Sequence, residues 1–349
     1  MQARHLKILE HSQLYNSIHK EIKESLSFDK KQSNRYFLLK LLIYGGLSIT
    51  SYSLFYIIEN PVWFILDFIV FGFSAVLLCF NFAHDLSHNA IFKNAFLNNF
   101  FFEFIYTLVG AHPEAWKDRH EHSHHFAPNV KNFDTDMAIT GIIRVLPDSE
   151  LKWYHKYQHL YAGIAYTTYS FYWVFIKDFI VLFKNTKKNA SFKYILRFIV
   201  QKCFYISYLL ILPLIFSHQN PLIIFIAFLA MHMVQSIYTL FTFFITHHVS
   251  GSVYPKSDEK GIINTSWFMN QIKSSNDFYP FSRLANFIFG GVNNHIAHHL
   301  FPHINHYYYP QLNRILFKRL TEQGIEPNVT SYFGGVRSHL LLLKRMGNA

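Results

Sequence analysis

The chain has 349 residues, 51% of them hydrophobic and 19% aromatic, with only 15% charged; this excludes an ordinary soluble domain and reads first as a membrane protein. The two cysteines, Cys79 and Cys203, both lie in apolar runs, which excludes a disulfide framework and any cysteine-ligated zinc or iron–sulfur centre and leaves histidine and carboxylate to hold a metal. A formal net charge of +11 would suggest nucleic acid in a soluble protein, but all 32 lysines and arginines fall outside 41–92 and 203–255. That is the positive-inside pattern of a membrane protein, so no nucleic-acid partner is expected.

Residues 1–35 are polar and charged and contain no apolar core of a secretory signal, so they read as a cytosolic, amphipathic N-terminal segment. Each basic-free stretch can hold two spans of about 20 residues, and each has a turn signal near its middle, Glu59-Asn60-Pro61 and Ser217-His218-Gln219-Asn220-Pro221. The predicted spans are 36–58, 62–83, 198–216 and 222–245. They form two hairpins whose tips face outward, with the N-terminus, 84–202 and everything after 246 in the cytosol. Two further apolar stretches, 96–111 with Glu103 and 160–183 ending in Lys177-Asp178, fit interfacial or re-entrant helices better than spans. After Pro310 the pattern predicts two short basic amphipathic helices, broken at Gly324 and near Gly334-Gly335, and 316–349 forms a basic cytosolic tail. Sequons at Asn189, Asn264 and Asn328 fall on the cytosolic side and read as chance matches. The expected fold is an all-α integral membrane protein, multi-pass, with one membrane domain over 36–315 and a histidine-rich di-metal cap on the cytosolic face.

Four histidine clusters sit at that predicted boundary: His84-Asp-Leu-Ser-His88, His120-x-x-x-His124-His125, Thr246-His247-His248 and His295-x-x-His298-His299. Residues three or four apart share a helix face, so each pair can aim two imidazoles at one ion, and a doubled histidine adds a second direction. His5, His11, His19, His218, His232 and His339 lack partners at ligand spacing and read as ordinary. His120-Glu121-x-x-His124 also spells a zinc-protease motif, but that reading leaves His84, His88, His125, His247, His295, His298 and His299 without a role. A metal transporter is opposed by the absence of a set at bilayer depth, where Asp67, His232 and Glu103 are the candidates.

HDLSH, then W-x-x-x-HEHSHHFAPNVKNFDTDM, then GGVNNHIAHHLFPHINHYYYPQL resemble the three histidine boxes of the membrane fatty acid desaturases. The third box and the preceding Trp267-x-x-x-Gln271-x-x-Ser274-Ser275-Asn276-Asp-Phe278 are most similar to front-end acyl desaturases. Those members usually carry glutamine where this chain has His295, although a histidine there matches the wider superfamily. The resemblance implies two iron ions held by nitrogen. His84, His88, His120, His125 and His298 would hold one, and His124, His295, His299 and His247 the other, His247 being preferred to His248 by its spacing to Tyr254-Pro255. Asp85, Asp134, Asp136 and Asn129 are candidate partners of the ligand imidazoles, with a solvated turn the competing account of Asp134 and Asp136.

The implied reaction uses O2 as cosubstrate to place a cis double bond in a fatty acyl lipid, acyl-CoA or acyl-carrier substrate. Many front-end members carry a fused cytochrome b5 domain with a His-Pro-Gly-Gly motif; this chain has His112-Pro113-Glu114-Ala115. Electrons are therefore expected from a separate ferredoxin or cytochrome b5, acidic proteins suited to a basic cytosolic surface. Those basic residues equally set topology and meet anionic membrane lipid. Trp116, Tyr166, Tyr169 and Trp173 could line an acyl channel or form an interfacial belt. A hydroxylase on the same scaffold is the closest alternative.

Overall fold

The computed structural model describes residues 4–136, 141–187 and 190–348; the Asn189 sequon lies outside them. The regular elements among the described residues are helices, apart from two short parallel pairings, Arg4–His5 with Ile262–Ile263 and Asp277–Phe278 with Val329–Thr330, and an isolated bridge between Ser257 and Ile263. Among the described residues, four helices are long and apolar enough to cross a bilayer, Lys30–Leu54, Pro61–Ser87, Phe192–Phe216 and Pro221–His247. Neither 96–111 nor 160–183 adds a fifth: the first becomes the helix Ala95–Leu108, and the second is divided among short helical pieces.

Two compact units divide the chain. One holds the described residues of Asn34–Trp116 and Gly163–Leu240 and contains most of the spanning helices. Its core is aromatic, with Phe55 and Phe68 stacked at 3.9 Å between centroids and with Tyr205, Tyr208, Phe228 and Met231 in the same cluster. The second span starts where Asn60 accepts from the N–H groups of Val62 and Trp63 with Pro61 in its first turn, so three of the donors that a helix start leaves free are answered or removed. Gln219 Nε2 donates to the carbonyls of Ile58 and Glu59 at 2.9 and 2.7 Å, which ties the two predicted turn segments to each other.

Two buried basic residues, Lys40 and Lys202, lie inside spanning helices, so the set of ionisable groups at depth is larger than the sequence suggested. Lys40 donates to Asn81 Oδ1 at 2.6 Å. Lys202 donates at 2.6–2.7 Å to Asp178 and to the carbonyls of Gly110 and Val174. Asp178 also accepts from the backbone N–H of His112 at 2.8 Å. An ammonium with three short acceptors is accommodated where a bare one would not be.

The other unit holds the described residues of Met1–Ser33, Lys117–Ala162 and Phe241–Ala349, so the last turns of Pro221–His247 belong to it. The helix Leu9–Ser25 buries Ile18 and Ile22, one turn apart, and Tyr309–Glu322 buries Leu312, Leu316 and Leu320 at the same period. Both stripes close on Ile296 and Leu300 of the short helix His295–Leu300 in one cluster. At about 1.5–3 kcal/mol for each fully buried aliphatic side chain, this packing fixes the third histidine box from outside. The segment after Pro310 breaks at Gly324, whose φ is +69°, as expected. The second expected break does not occur, because Gly334 and Gly335 lie in the first turn of Tyr332–Met346. Ser331 caps that helix by accepting from Gly334 N–H, and a glycine so close to the start costs little of the hydrogen-bond ladder.

Candidate metal centre

The helix His295–Leu300 is entered through left-handed Gly290 and Gly291. A Cβ on Gly291 would stand 2.2 Å from that of His306, so the turn admits only glycine. Asp277 Oδ1 accepts from Ile296 N–H at 2.9 Å and Oδ2 from Asn313 Nδ2 at 3.2 Å. Burial pushes its carboxyl up to about 7 although the N–H groups of Ile296 and His295 and the Asn313 amide favour the anion. Asn313 continues to Asn294, Asn294 to Asn286, and Asn286 to the carbonyl of His306, each at 2.8 Å.

The second box is not α-helical. Asp118–His124 forms a π-helical turn, and His125 N–H donates to His120 O at 2.9 Å, so residues five apart share a face. His120 and His125 therefore meet, with Nε2 atoms 3.2 Å apart, and His124 points elsewhere. His298 joins the first two, its ring 4.6 Å from that of His125 and 5.8 Å from that of His120. His120 Nδ1 stands 3.5 Å from Asp136 Oδ2, and Asp136 also faces Arg119 Nε at 3.6 Å.

His124, His247, His295 and His299 make a second buried group, whose ligand atoms all lie within 4.8 Å of one another. The Nε2 atoms of His247, His295 and His299 are 2.7, 3.1 and 3.3 Å apart. The His247–His299 separation is not a hydrogen bond, because the Nδ1 of each is already committed to an acceptor, whereas His295 Nε2 can donate to either ring when no ion is bound. His124 Nδ1 donates to Asp134 Oδ2 at 2.9 Å, His247 Nδ1 to Ser274 O at 2.9 Å, and His299 Nδ1 to Gln271 Oε1 at 2.7 Å. Each of those rings thus presents a bare Nε2 lone pair, and that of His124 is buried without a hydrogen-bond partner. Lone pairs converging in a dry site repel, and a divalent cation among them turns the repulsion into coordination, so this donor set fits a nitrogen-ligated metal.

For His299 the electrostatics agree with that fit. Burial, joined by the neighbouring His125, His295, His124 and His247, holds His299 well below the usual histidine range, which keeps it neutral and able to ligate. For His124 burial acts in the same direction, but the charge and hydrogen bond of Asp134 outweigh it and raise the group. Asp134 is itself lowered: burial opposes this, and His124 and the N–H of Asn129 overcome it. Asp134 is therefore a buried hydrogen-bond partner of His124 and not a solvated turn. His248 turns away from the group, with Nδ1 2.9 Å from the hydroxyl of Tyr254.

In the other unit, His84 and His88 end the second span with perpendicular rings 5.6 Å apart and ligand atoms within 4.8 Å of each other. Trp116 lies 6.3 Å from His84 and packs on Phe102 and Tyr106, while Asp85 is buried. Glu121 pairs with Lys117 at 3.8 Å, and His120 and His124 belong to different groups, so the protease motif does not set both on one ion. Asn129 donates to carbonyl groups, not to an imidazole. The contacts of Ser274, Gln271 and Asp277 had no separate signal in the sequence beyond their place before the third box.

A buried, histidine-only donor set in a chain with four membrane-length helices is that of a membrane protein able to hold metal ions. Residues 60–331 match the fatty acid desaturase family, and the chain belongs to that family. It is 30% identical to an acyl-lipid (8-3)-desaturase B of Dictyostelium discoideum, over 99% of this chain and 78% of the relative. It is 26% identical to an sn-1 linoleoyl-lipid 6-desaturase of Arthrospira platensis, over 81% of this chain and 77% of the relative. An acyl-lipid (8-3)-desaturase of Physcomitrium patens is 27% identical over 90% of this chain and 67% of its own length.

Proposed function

We propose that this chain is an acyl-lipid desaturase of the front-end type that introduces one cis double bond into a fatty acyl chain. The observation that carries the proposal is the convergence of His124, His247, His295 and His299, three with Nδ1 committed outward; family membership and the names of the relatives support the acyl-lipid substrate. In this reading His124, His247, His295 and His299 hold one iron, and His84, His88, His120, His125 and His298 the other. When bound, the iron pair supplies the oxidising power that removal of two hydrogens from an unactivated methylene pair requires and that redox-inert zinc lacks. The balance is acyl chain, O2, two electrons and two protons to alkene and two waters. Asp134, Ser274 and Gln271 fix the ring orientations, and burial excludes water.

The distribution of basic residues supports a cytosolic side for the histidines, and the tie between Gln219 and 58–59 supports two hairpins with neighbouring tips. An acidic redox protein, a ferredoxin or cytochrome b5, delivers the electrons at that face. Expression in a desaturase-deficient host, followed by gas chromatography–mass spectrometry of derivatised fatty acids, tests the reading. A new unsaturated acid made by the intact chain and absent with His298→Ala is expected; a hydroxylated acid in its place would assign the hydroxylase instead.

A further inference from the structure

We infer that Asn129 is a positioning residue that locks His124 to His247, an inference that rests on the metal-binding reading of their group. Asn129 is 1% exposed and has a φ of +61°, a left-handed conformation that asparagine and glycine adopt and that strains most other residues. Its backbone N–H donates to Asp134 Oδ2 at 2.9 Å, the oxygen that also accepts from His124 Nδ1. Its side-chain Nδ2 faces three carbonyl oxygens, those of His247 at 3.1 Å and of Val253 and Ser274 at 3.2 Å. The Ser274 carbonyl is in turn the acceptor of His247 Nδ1.

One residue thus reaches His124 through a single carboxylate and His247 both through its own carbonyl and through the acceptor that sets its tautomer. The two histidines come from segments far apart in sequence, yet their rings stand 4.5 Å apart between centroids. This link joins the two histidines themselves by directed hydrogen bonds, where packing would tolerate shifts that a coordination shell does not. The left-handed backbone is what allows N–H and amide to point to these two sides at once.

The test uses the full chain in detergent, stripped of metal and titrated with Co2+, with the visible absorption of the bound ion and the bound stoichiometry as readouts. The wild type is expected to take up two ions. Asn129→Gly keeps the backbone conformation and the N–H to Asp134 but deletes the amide. It is expected to lose roughly 10–100-fold in affinity for one ion and not the other, with a changed absorption spectrum for that ion. Its metal-free melting temperature should stay near wild type while the increment on adding Co2+ shrinks. Asn129→Asp, which has the same shape without N–H donors, should reproduce the selective loss and decides the matter should the glycine variant not fold. Unchanged affinities and spectrum in both variants, or a lowered metal-free melting temperature with both affinities intact, would make Asn129 a loop brace and overturn the inference. A wild type that binds fewer than two ions would overturn the metal reading beneath it.

Discussion

Buried histidines in this chain take opposite electrostatic states according to what their Nδ1 meets. Beside the Asp134 carboxylate, His124 is raised; His299, whose Nδ1 meets a neutral amide, is lowered by burial and by the rings around it. His339 is the clearest case outside the metal groups. It is fully buried, donates from Nδ1 to the His248 carbonyl at 2.8 Å, and is pushed down to about 4, mainly by burial, against an ordinary value of 6.5. Between those values the unfolded chain binds a proton that the folded chain refuses. Its contribution to stability is therefore complete above 6.5 and is lost as pH falls through 4, on the order of 3 kcal/mol in all. His339→Gln keeps a donor for the carbonyl and cannot titrate. Thermal melts of the metal-free protein from pH 7 to 4 should show a shallower decline for the variant than for wild type, and equal slopes would remove His339 as a cause of acid sensitivity.

At the level of elements, the short segments around Gly110 and Val174 are held to the third span by the Lys202–Asp178 pair, whose side chains are 8% and 0% exposed. Removing one charge leaves the other buried alone, a cost of about 3–5 kcal/mol, whereas apolar replacement of both is far milder. Lys202→Met should lower the melting temperature in detergent sharply, and Lys202→Met with Asp178→Leu should recover most of it; a single variant as stable as wild type would show the pair to be dispensable. That pair was hidden in the sequence because its members are 24 residues apart and Lys202 sits beside, not inside, the basic-free run. The four spans were legible because lysine and arginine are excluded from most of their length. Their ends were not: the first helix begins at Lys30 because Asp29 caps it by accepting from the N–H groups of Lys31 and Gln32, and the second runs on to Ser87 because its backbone ladder continues past the apolar run. The histidines of the site were legible from their doubling and spacing. The π-helical turn that separates His124 from His120 and His125 was not, since nothing in the period of 118–124 distinguishes five-residue from four-residue hydrogen bonding.

For the whole molecule, the spans leave large apolar side chains on their outer faces, Ile49 71% and Leu222 65% exposed, as a chain solvated by lipid requires, while the nitrogen donors, all buried except the half-buried His84, gather near helix ends. The metal-donating part draws on stretches from the second box, the end of the fourth span and the third box, each braced by its own hydrogen bonds to Asp134, Ser274, Gln271 and Asp277. The claim on which the account depends is that these donors hold two irons. Iron content per chain of protein purified without oxygen, read with its Mössbauer spectrum, tests it directly for the wild type and for His124→Ala with His299→Ala. Two irons per wild-type chain in nitrogen-rich sites, and one in a folded double variant, are predicted; a single tightly held zinc in the wild type, or two irons retained by the double variant, would contradict the account.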